Sequence, residues 1–350
     1  MSNLMIYGAY GYSGKMIAAA TLKRGLNPIL AGRDARRAAA VGEELGLPHC
    51  AFALDDPKAT ARALHGMKAV LHCAGPFSST SKPMLDACIA QGVHYLDITG
   101  EFKVMEATAA RDAELKRAGI MAMAGTGMDV VPSDCLAAHM KMRLPSATEL
   151  RLFIRALERP SRGTASTFVE GFGLPNVVRE GGKLMDKPAG ADRVTVEFGD
   201  KRVGMVGLPW GDIATAWRTT GIPDIAIYMS LPPGAATMLG LGANLTGLCQ
   251  SAPVQRFLKR AIHRLIDGPT ERYMKSHRAE FMAEARDAKG KRCRTFLSTI
   301  EGYAFTAESA SEIAKRVLAG TFEAGFQTPG LLFGADFVLD FPESQRVDLE

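Results

Sequence analysis

The feature that most constrains the fold is a glycine-rich turn near the start of the sequence. An apolar run at 4–7, typical of a buried strand, precedes a run with helical spacing at 15–24. Between them stand glycines three residues apart. A pyrophosphate can accept backbone N–H bonds at a helix N-terminus only where no side chain blocks it, so this spacing predicts a dinucleotide-binding βα turn. The residues predicted to bind the cofactor here are Gly8, Ala9, Tyr10, Gly11, Tyr12, Ser13 and Gly14.

The end of the second predicted strand, at 28–31, bears on the choice of cofactor. An NAD site places a carboxylate there for the ribose 2′-hydroxyl, whereas an NADP site has an arginine that binds the 2′-phosphate. Gly32 and Arg33 follow the strand and fit NADP. The alternative takes Asp34 as the acid of an NAD site. We favour NADP(H), with Arg33 on the 2′-phosphate, because Asp34 can also cap the helix that follows.

Composition sets the broad class of protein. With 350 residues, the chain is long enough for two domains, and 47% hydrophobic with 23% charged residues is typical of a globular protein. A net charge of +5, with basic residues dispersed, does not indicate nucleic-acid binding. The six cysteines lie far apart without metal-ligand spacing, which predicts reduced thiols and no metal site. No signal peptide precedes the first strand, so we expect a cytoplasmic protein.

Strand and helix patterns alternate through the first third of the chain. This alternation predicts an α/β fold with a Rossmann-type, doubly wound parallel sheet in a first domain at 1–130. The predicted strands lie at 4–7, 28–31, 69–73, 94–98 and 120–124, and the predicted helices lie at 15–24, 34–45, 57–65, 82–91 and 104–118.

The hydrophobic pattern of the sequence changes after Pro145. Alternating segments at 149–156, 193–198 and 202–208 predict a second α/β domain at 131–325, built on a largely antiparallel sheet. A helix interrupted by glycines, at 164–179, is expected to cover this sheet. The C-terminal segment at 326–350 is expected to pack back on the first domain.

The stretch 225–255 carries no charged residue, and a basic run follows it at 256–264. Pro232, Pro233 and several glycines argue against one continuous helix, although the beginning of the stretch has the pattern of a strand. Three interpretations remain: a lid over an apolar pocket, the surface of a homodimer, and a peripheral membrane or lipid contact reinforced by the basic run. We favour the lid, because helix breakers oppose membrane insertion but not a loop over a pocket.

Five motifs, in this order along nearly the whole chain, give the sequence a resemblance to a known family. They are G-A-Y-G-Y-S-G at 8–14, C-A-G-P-F at 73–77, Y-L-D-I-T-G-E at 95–101, M-D-V-V-P-S-D at 128–134, and F-Q-T-P at 326–329 with F-G at 333–334. The sequence resembles the saccharopine dehydrogenase-like oxidoreductases, in particular the branch of trans-acting enoyl reductases. The resemblance implies an NADP-binding Rossmann domain, a following α/β domain and an oxidoreductase activity.

Candidate catalytic residues follow successive strands of the predicted parallel sheet. Ligands bind beyond the carboxyl ends of such strands, so Asp97, Glu101 and Asp129 are expected to point toward one cleft. One of them could act as a proton donor, as could a Tyr or a His. Alternatively, they cap the helices that follow them. The loop after the third predicted strand is expected to touch the cofactor through Cys73, Ala74, Gly75 and Pro76.

These observations together predict an NADP(H)-dependent oxidoreductase that reduces a C=C or C=N bond of a small, fairly hydrophobic molecule, in the manner of an enoyl reductase. One alternative is an amino-acid dehydrogenase of the saccharopine type, which would need several converging arginines for a dicarboxylate substrate. The uncharged stretch 225–255 favours a more apolar ligand. A second alternative is a lipid-associated regulatory protein that binds NADP without catalysis.

Overall fold

The computed structural model describes residues 3–156, 159–198, 201–231, 234–243, 245–266 and 268–349. The chain divides into two compact units. The first consists of the residues up to Val131 together with Tyr303–Phe337, and the second consists of Pro132–Gly302 together with the residues from Val338 onward.

The strands and helices alternate closely in the first third of the chain and less regularly afterwards. In chain order, the strands are β1 (Leu4–Tyr7), β2 (Ile29–Gly32), β3 (His49–Ala51), β4 (Ala69–His72), β5 (His94–Asp97), β6 (Met121–Met123), β7 (Ala147–Arg155), β8 (Asn176–Glu180), β9 (Lys183–Lys187), β10 (Arg193–Phe198), β11 (Lys201–Gly207), β12 (Asp224–Met229), β13 (Arg278–Asp287), β14 (Arg292–Ile300), β15 (Gly325–Phe326) and β16 (Gln345–Leu349).

In chain order, the helices are α1 (Tyr12–Lys23), α2 (Ala35–Leu45), α3 (Pro57–Leu64), α4 (Phe77–Gln91), α5 (Phe102–Ala109), α6 (Asp112–Ala118), α7 (Val131–Arg143), α8 (Arg162–Gly171), α9 (Asp212–Thr220), α10 (Ala235–Ala243), α11 (Thr246–Cys249), α12 (Ala252–Leu265), α13 (Glu271–Ser276), α14 (Gly302–Leu318) and α15 (Pro329–Phe333). A 3-10 helix follows at Phe337–Asp340.

The first unit contains the predicted parallel sheet. Its strand order is β15-β6-β5-β4-β1-β2-β3, and neighbouring strands run parallel throughout. Each predicted strand is confirmed to within one residue at either end. The order reverses between β1 and β4, so the crevice where a doubly wound sheet binds its ligand lies beyond the carboxyl ends of these two strands.

Three helix predictions in this unit needed correction. The helix predicted at 15–24 begins three residues earlier, at Tyr12. The helix predicted at 82–91 begins earlier, at Phe77, and continues through Pro83. The helix predicted at 104–118 is instead two helices, α5 and α6, because the chain turns at Ala110 and Arg111. Glycines end α4 and α6 with a positive φ of 68°, a conformation that glycine adopts without steric cost.

The later part of the chain is divided differently from the predicted domains. Although 131–325 was expected to form the second domain, α14 belongs to the first unit, where Arg24 at the end of α1 forms ion pairs with Glu308 and Glu312 at 2.6 Å and 3.2 Å. Strand β15 then extends the parallel sheet beside β6. The segment 326–350 is itself divided, because β16 pairs with β14 in the second unit.

The second unit contains a mixed sheet with the strand order β10-β11-β12-β7-β13-β14-β16, and β8 and β9 branch from β12. Its pairings are antiparallel except that of β7 with β12. The helix predicted at 164–179 is wrong beyond Gly171, where α8 ends. Residues Asn176–Glu180 form a strand instead, since Gly171 and Gly173 interrupt the helix and the β-branched Val177 and Val178 favour an extended chain.

This mixed sheet is rolled, so that one of its faces forms a core of its own. The rings of Phe198 on β10 and Phe296 on β14 lie 6.2 Å apart between their centroids, although four strands separate β10 from β14 in the sheet. In a flat sheet this separation would be about 24 Å. The enclosed face is filled by aromatic and aliphatic side chains, including Phe153 stacked on Tyr228 at 5.4 Å.

The uncharged stretch 225–255 comprises elements of different kinds. It begins with most of β12, whose Ile225 and Ile227 are buried, and continues through the short helices α10 and α11 to the start of α12. Pro232 and Pro233, named above as helix breakers, lie outside the described residues. Among the helices that the structure describes, none combines the length and the hydropathy needed to cross a bilayer.

We expect Phe153→Ala to destabilise the second unit strongly. Phe153 is only 5% exposed, and removal of a phenyl ring from a packed core costs about 3 to 5 kcal/mol. Urea unfolding should show a lower midpoint with an unchanged slope. In Phe257→Ala, the control, the lost ring is 70% exposed, so the change should stay within about 0.5 kcal/mol. Equal effects of the two substitutions would contradict a packed, rolled sheet.

Candidate functional site

The glycine turn between β1 and α1 brings backbone segments together so closely that side chains are excluded. Gly8 has a φ of 85°, and a Cβ atom at this residue would lie 2.8 Å from the backbone nitrogen of Ala74. A Cβ atom at Gly14 would overlap the carbonyl oxygen of Gly8. Gly11 is different, because its φ of −73° is ordinary and a Cβ atom would lie 3.2 Å from the Gly8 oxygen. Gly8 and Gly14 are therefore required by the close packing of the backbone. The absence of a side chain at Gly11 instead leaves the outer side of the turn open.

The start of α1 has the properties of an anion site. Gly11 is the N-cap residue and provides no side-chain cap, and the first turn contains no acidic residue. The backbone N–H groups of a first helical turn lack intrahelical partners, and the helix dipole adds positive potential there. The cradle left open at Gly11 and the uncapped helix start both fit the pyrophosphate of a dinucleotide.

The loop after β4, which contains Cys73, Ala74, Gly75 and Pro76, lies against the glycine turn. The contact runs through Ala74, whose backbone faces Gly8. Thr80 on α4 holds this loop, since its hydroxyl lies 2.6 Å from the Ala74 carbonyl oxygen and 3.0 Å from His72 Nε2. Burial lowers the pKa of His72 to about 3, so this side chain is a neutral part of the core.

Beyond the end of β2, polar side chains assemble around Tyr10. Its ring packs on Gly32 so closely that a Cβ atom at Gly32 would overlap it. Its hydroxyl accepts the Asp34 N–H at 3.2 Å, and the Arg37 guanidinium lies 4.4 Å from its ring centroid. The Asp34 carboxylate accepts the Arg37 N–H at 3.1 Å, which confirms Asp34 as the N-cap of α2. Arg33 is exposed beside this group.

Arg37 is a residue whose position the sequence analysis missed. No role at the cofactor site was predicted for it, yet the structure places its side chain over the ring of Tyr10 in the glycine turn. The available signal was Tyr10 inside the glycine motif, since an aromatic face beside an arginine-rich helix start favours a cation–π contact. Together, Arg33 and Arg37 bring two cations to the end of β2.

Asp97 is fully buried at the end of β5. One carboxylate oxygen accepts the Tyr95 hydroxyl at 2.7 Å, and the other accepts the N–H groups of Thr99 at 3.0 Å and Gly125 at 2.9 Å. Burial raises the pKa of Asp97 to about 6, although these hydrogen bonds act in the opposite direction. The side chain thereby joins the ends of β5 and β6.

Glu101 caps a helix, but not the helix expected from the sequence. It stands at the N-cap position of α5 and makes no side-chain cap there. Its two carboxylate oxygens instead accept the N–H groups of Phe77 and Ser78, both at 2.9 Å, at the start of α4. Glu101 therefore caps the N-terminus of α4, the helix that follows the loop beside the glycine turn.

Asp129 lies partly buried after β6, beside the chain that follows β5. A Cβ atom at Gly100 would lie 3.0 Å from Asp129 Oδ2, so a side chain at this position would press on the Asp129 carboxyl group. Burial raises the pKa of Asp129 to about 7. The structure thus brings Asp97, Glu101 and Asp129 to the same edge of the parallel sheet. Across the described ranges, no group of three or more His, Cys, Asp and Glu side chains could hold a metal ion.

Comparisons with known proteins agree with this architecture. Residues 4–123 match the family model described as the saccharopine dehydrogenase NADP binding domain. A solved structure of saccharopine dehydrogenase (L-Glu forming) from Saccharomyces cerevisiae superimposes with a TM-score of 0.66 and covers 100% of both chains. Because the two sequences are 12% identical, this similarity shows the fold alone.

Two curated relatives give similar matches. The trans-acting enoyl reductase of Mycobacterium ulcerans is 26% identical over 202 residues, which is 53% of this chain and 48% of the relative. The human saccharopine dehydrogenase-like oxidoreductase is 24% identical over 207 residues, which is 51% of this chain and 48% of the relative. The matched region thus spans about half the length of each relative.

We expect Gly11→Val to abolish NADPH binding while the fold survives. The valine side chain would occupy the open side of the turn, where the pyrophosphate must lie, but its Cβ atom would press only moderately on the Gly8 oxygen. Isothermal titration calorimetry should show at least about a hundredfold weaker binding. Gly14→Ala is the contrasting variant, because its Cβ atom overlaps the turn itself and should lower the melting temperature. Wild-type NADPH affinity in folded Gly11→Val would place the phosphate site elsewhere.

We expect Arg33→Ala to weaken NADPH binding by about 1.5 to 3 kcal/mol, the scale of a lost charge-assisted hydrogen bond, and to leave NADH binding nearly unchanged. Both cofactors should be titrated against the variant. Arg36→Ala is the matched control, since Arg36 is an exposed arginine of α2, three residues further along the chain. Equal losses for NADPH and NADH would contradict a role of Arg33 at the 2′-phosphate.

Proposed function

We propose that this chain, whose residues 4–123 form an NADP binding domain of the saccharopine dehydrogenase type, is an NADP(H)-dependent oxidoreductase that reduces a C=C or C=N bond of a fairly hydrophobic substrate. The observation that carries the proposal is the open glycine turn at Gly11, with Arg33 and Arg37 at the end of the neighbouring strand. The enoyl reductase of Mycobacterium ulcerans, matched over about half its length, supports a reductive reaction.

Such a reaction needs a few groups of the chain, each with its own role. Bound NADPH supplies the hydride. The start of α1 would hold the pyrophosphate, and Arg33, with Arg37 beside it, would hold the 2′-phosphate of the cofactor. Once a hydride has reached one atom of a polarised double bond, the other atom needs a proton. An acid at the edge of the crevice provides it.

We assign the proton donor to Asp129. Asp97 has no exposed surface, and hydrogen bonds to the protein occupy both its carboxylate oxygens. Both carboxylate oxygens of Glu101 accept backbone N–H groups of α4, which fixes this side chain at the start of that helix. Asp129 is partly accessible and has a pKa raised to about 7, which keeps a proton on the carboxyl group near neutral pH. We therefore give Asp97 and Glu101 positioning roles.

The second unit supports an apolar substrate over a dicarboxylate. The arginines that a saccharopine-type site would need to converge are each engaged in the fold. Arg151 and Arg155 form ion pairs with glutamates at 2.6 Å and 2.8 Å, and Arg179 lies over a tryptophan ring at 4.4 Å. Arg159 and Arg162 contact an aromatic ring and a backbone carbonyl.

Turnover assays test this function directly. NADPH oxidation should be measured with α,β-unsaturated thioesters and cyclic imines of increasing chain length, and NADP reduction should be measured with free amino acids. We expect turnover in the first assay that improves with apolar chain length. Turnover only with amino acids would favour an amino-acid dehydrogenase. Tight NADPH binding without any turnover would favour a regulatory protein.

We expect Asp129→Asn to lower kcat by about 10² to 10⁴, the usual contribution of a general acid. In the wild type, reduction should slow as the pH rises above about 7, because the donor must be protonated. The variant should lose this pH dependence. Glu101→Gln is the matched control, for which we expect a small loss and an unchanged pH profile. The opposite pattern would assign the donor to Glu101.

The same variant has a readout that needs no substrate. Burial raises the pKa of Asp129 from its ordinary value of 3.8 to about 7, so between these pH values the folded protein keeps a proton that the unfolded chain has released. The wild type therefore loses stability as the pH rises from 3.8 to about 7. Asn carries no such proton. Asp129→Asn should therefore gain stability relative to the wild type as the pH rises through this window, with a constant difference above it, as thermal unfolding at pH values on both sides would show.

A further inference from the structure

Helices α10, α11 and α12 expose large apolar side chains that the fold does not cover. We call this region the apolar-basic surface and define it by five apolar residues and three arginines. The apolar residues are between 56% and 70% exposed and are Met238, Leu241, Leu245, Leu248 and Phe257. The arginines, all exposed, are Arg256, Arg260 and Arg264.

The opposite sides of these helices are firmly attached to the second unit. The Gln250 side-chain amide donates to the carbonyl oxygens of Glu170 and Phe172 at 3.1 Å and 2.8 Å, and Lys259 forms an ion pair with Glu170 at 2.5 Å. Gly242 packs on the Phe172 ring, 2.9 Å from where its Cβ atom would lie. The exposed side chains therefore belong to an anchored layer.

Charge on this surface has one sign. From Ala235 to Leu265 the sequence contains no Asp or Glu, although it contains four Lys and Arg residues. Arg256, Arg260 and Arg264 follow at intervals of four and so share one face of α12, and the exposed Phe257 adjoins them. Arginines on an exposed helix face are attracted to anionic lipid headgroups, and an exposed aromatic ring beside them can enter the membrane interface.

We propose that the apolar-basic surface binds peripherally to an anionic lipid bilayer, with the apolar side chains in the interface and the arginines on the headgroups. Short helices attached to the second unit allow such contact without crossing the membrane. A second copy of the chain fits less well, because a symmetric pair would bring two sets of arginines together. This property does not depend on the proposed oxidoreductase function.

The experiment is vesicle flotation of the full chain. Phosphatidylcholine vesicles with and without about a third phosphatidylglycerol should be compared, in salt from about 0.1 M to about 1 M, which shortens the Debye length from about 10 Å to about 3 Å. We expect binding only to the anionic vesicles, and much weaker binding at high salt. NADPH affinity, measured in the same samples, should be unchanged by every variant.

Two variants with matched controls separate the contributions. Arg256→Glu/Arg260→Glu/Arg264→Glu should lower vesicle partitioning by about a hundredfold, and Leu248→Ser/Phe257→Ser by about tenfold. The charge control is Lys183→Glu/Lys289→Glu/Lys291→Glu, which makes the same change in net charge at exposed residues elsewhere. The apolar control is Met142→Ser/Leu331→Ser, at side chains that are 70% and 51% exposed. Both controls should bind like the wild type.

Several outcomes would overturn the proposal. These are an absence of binding to anionic vesicles, binding that the charge control reduces as much as the arginine variant does, and binding that ignores both test variants. A dimer that sedimentation detects, and that Leu248→Ser/Phe257→Ser abolishes without any vesicle binding, would show that the surface joins two copies instead. Slower hydrogen exchange at 235–265 only when NADPH and an apolar ligand are bound would make it a lid.

Discussion

The close approach of Gly8 to Ala74 is the contact on which the first unit depends. It allows the loop after β4 to lie against the turn after β1, the place where the strand order reverses. A second close approach, between Gly14 and the Gly8 carbonyl, directs α1 away from the end of β1. Backbone held this closely needs no ligand to keep its shape, so the cofactor meets a site that the fold has already formed.

The three carboxyl groups at the neighbouring strand ends differ in their burial and in their hydrogen bonds. Asp97 accepts hydrogen bonds from both β5 and the chain after β6, and so secures the edge from which Asp129 projects. Glu101 fixes the start of α4, whose Thr80 in turn holds Ala74. In the proposed mechanism these two position the site, while Asp129, whose pKa burial raises to about 7, donates the proton. Similar residues acquire different roles through burial and hydrogen bonding.

Features with a local cause were predictable from the sequence, and those with a distant cause were not. Apolar runs such as Leu4–Tyr7 and the C-cap glycines fixed most elements of the first sheet. Strand β15 was missed because it has only two residues, and α14 was assigned to the other domain because its ion pairs with Arg24 span more than 280 residues. Glu101 was expected to cap the helix next to it, since nothing local indicates the N–H groups of Phe77 and Ser78.

Hydropathy alone could not separate the two halves of the uncharged stretch. Ile227 is 1% exposed within β12, while Leu241, in the same stretch, is 62% exposed on α10. Apolar surface left in water is unfavourable and needs a partner, and the neighbouring arginines restrict what that partner can be. A reductase held at an anionic bilayer would meet an apolar substrate where that substrate is most concentrated. The substrate class and the lipid contact therefore support each other, although each follows from its own observations and fails on its own experiment.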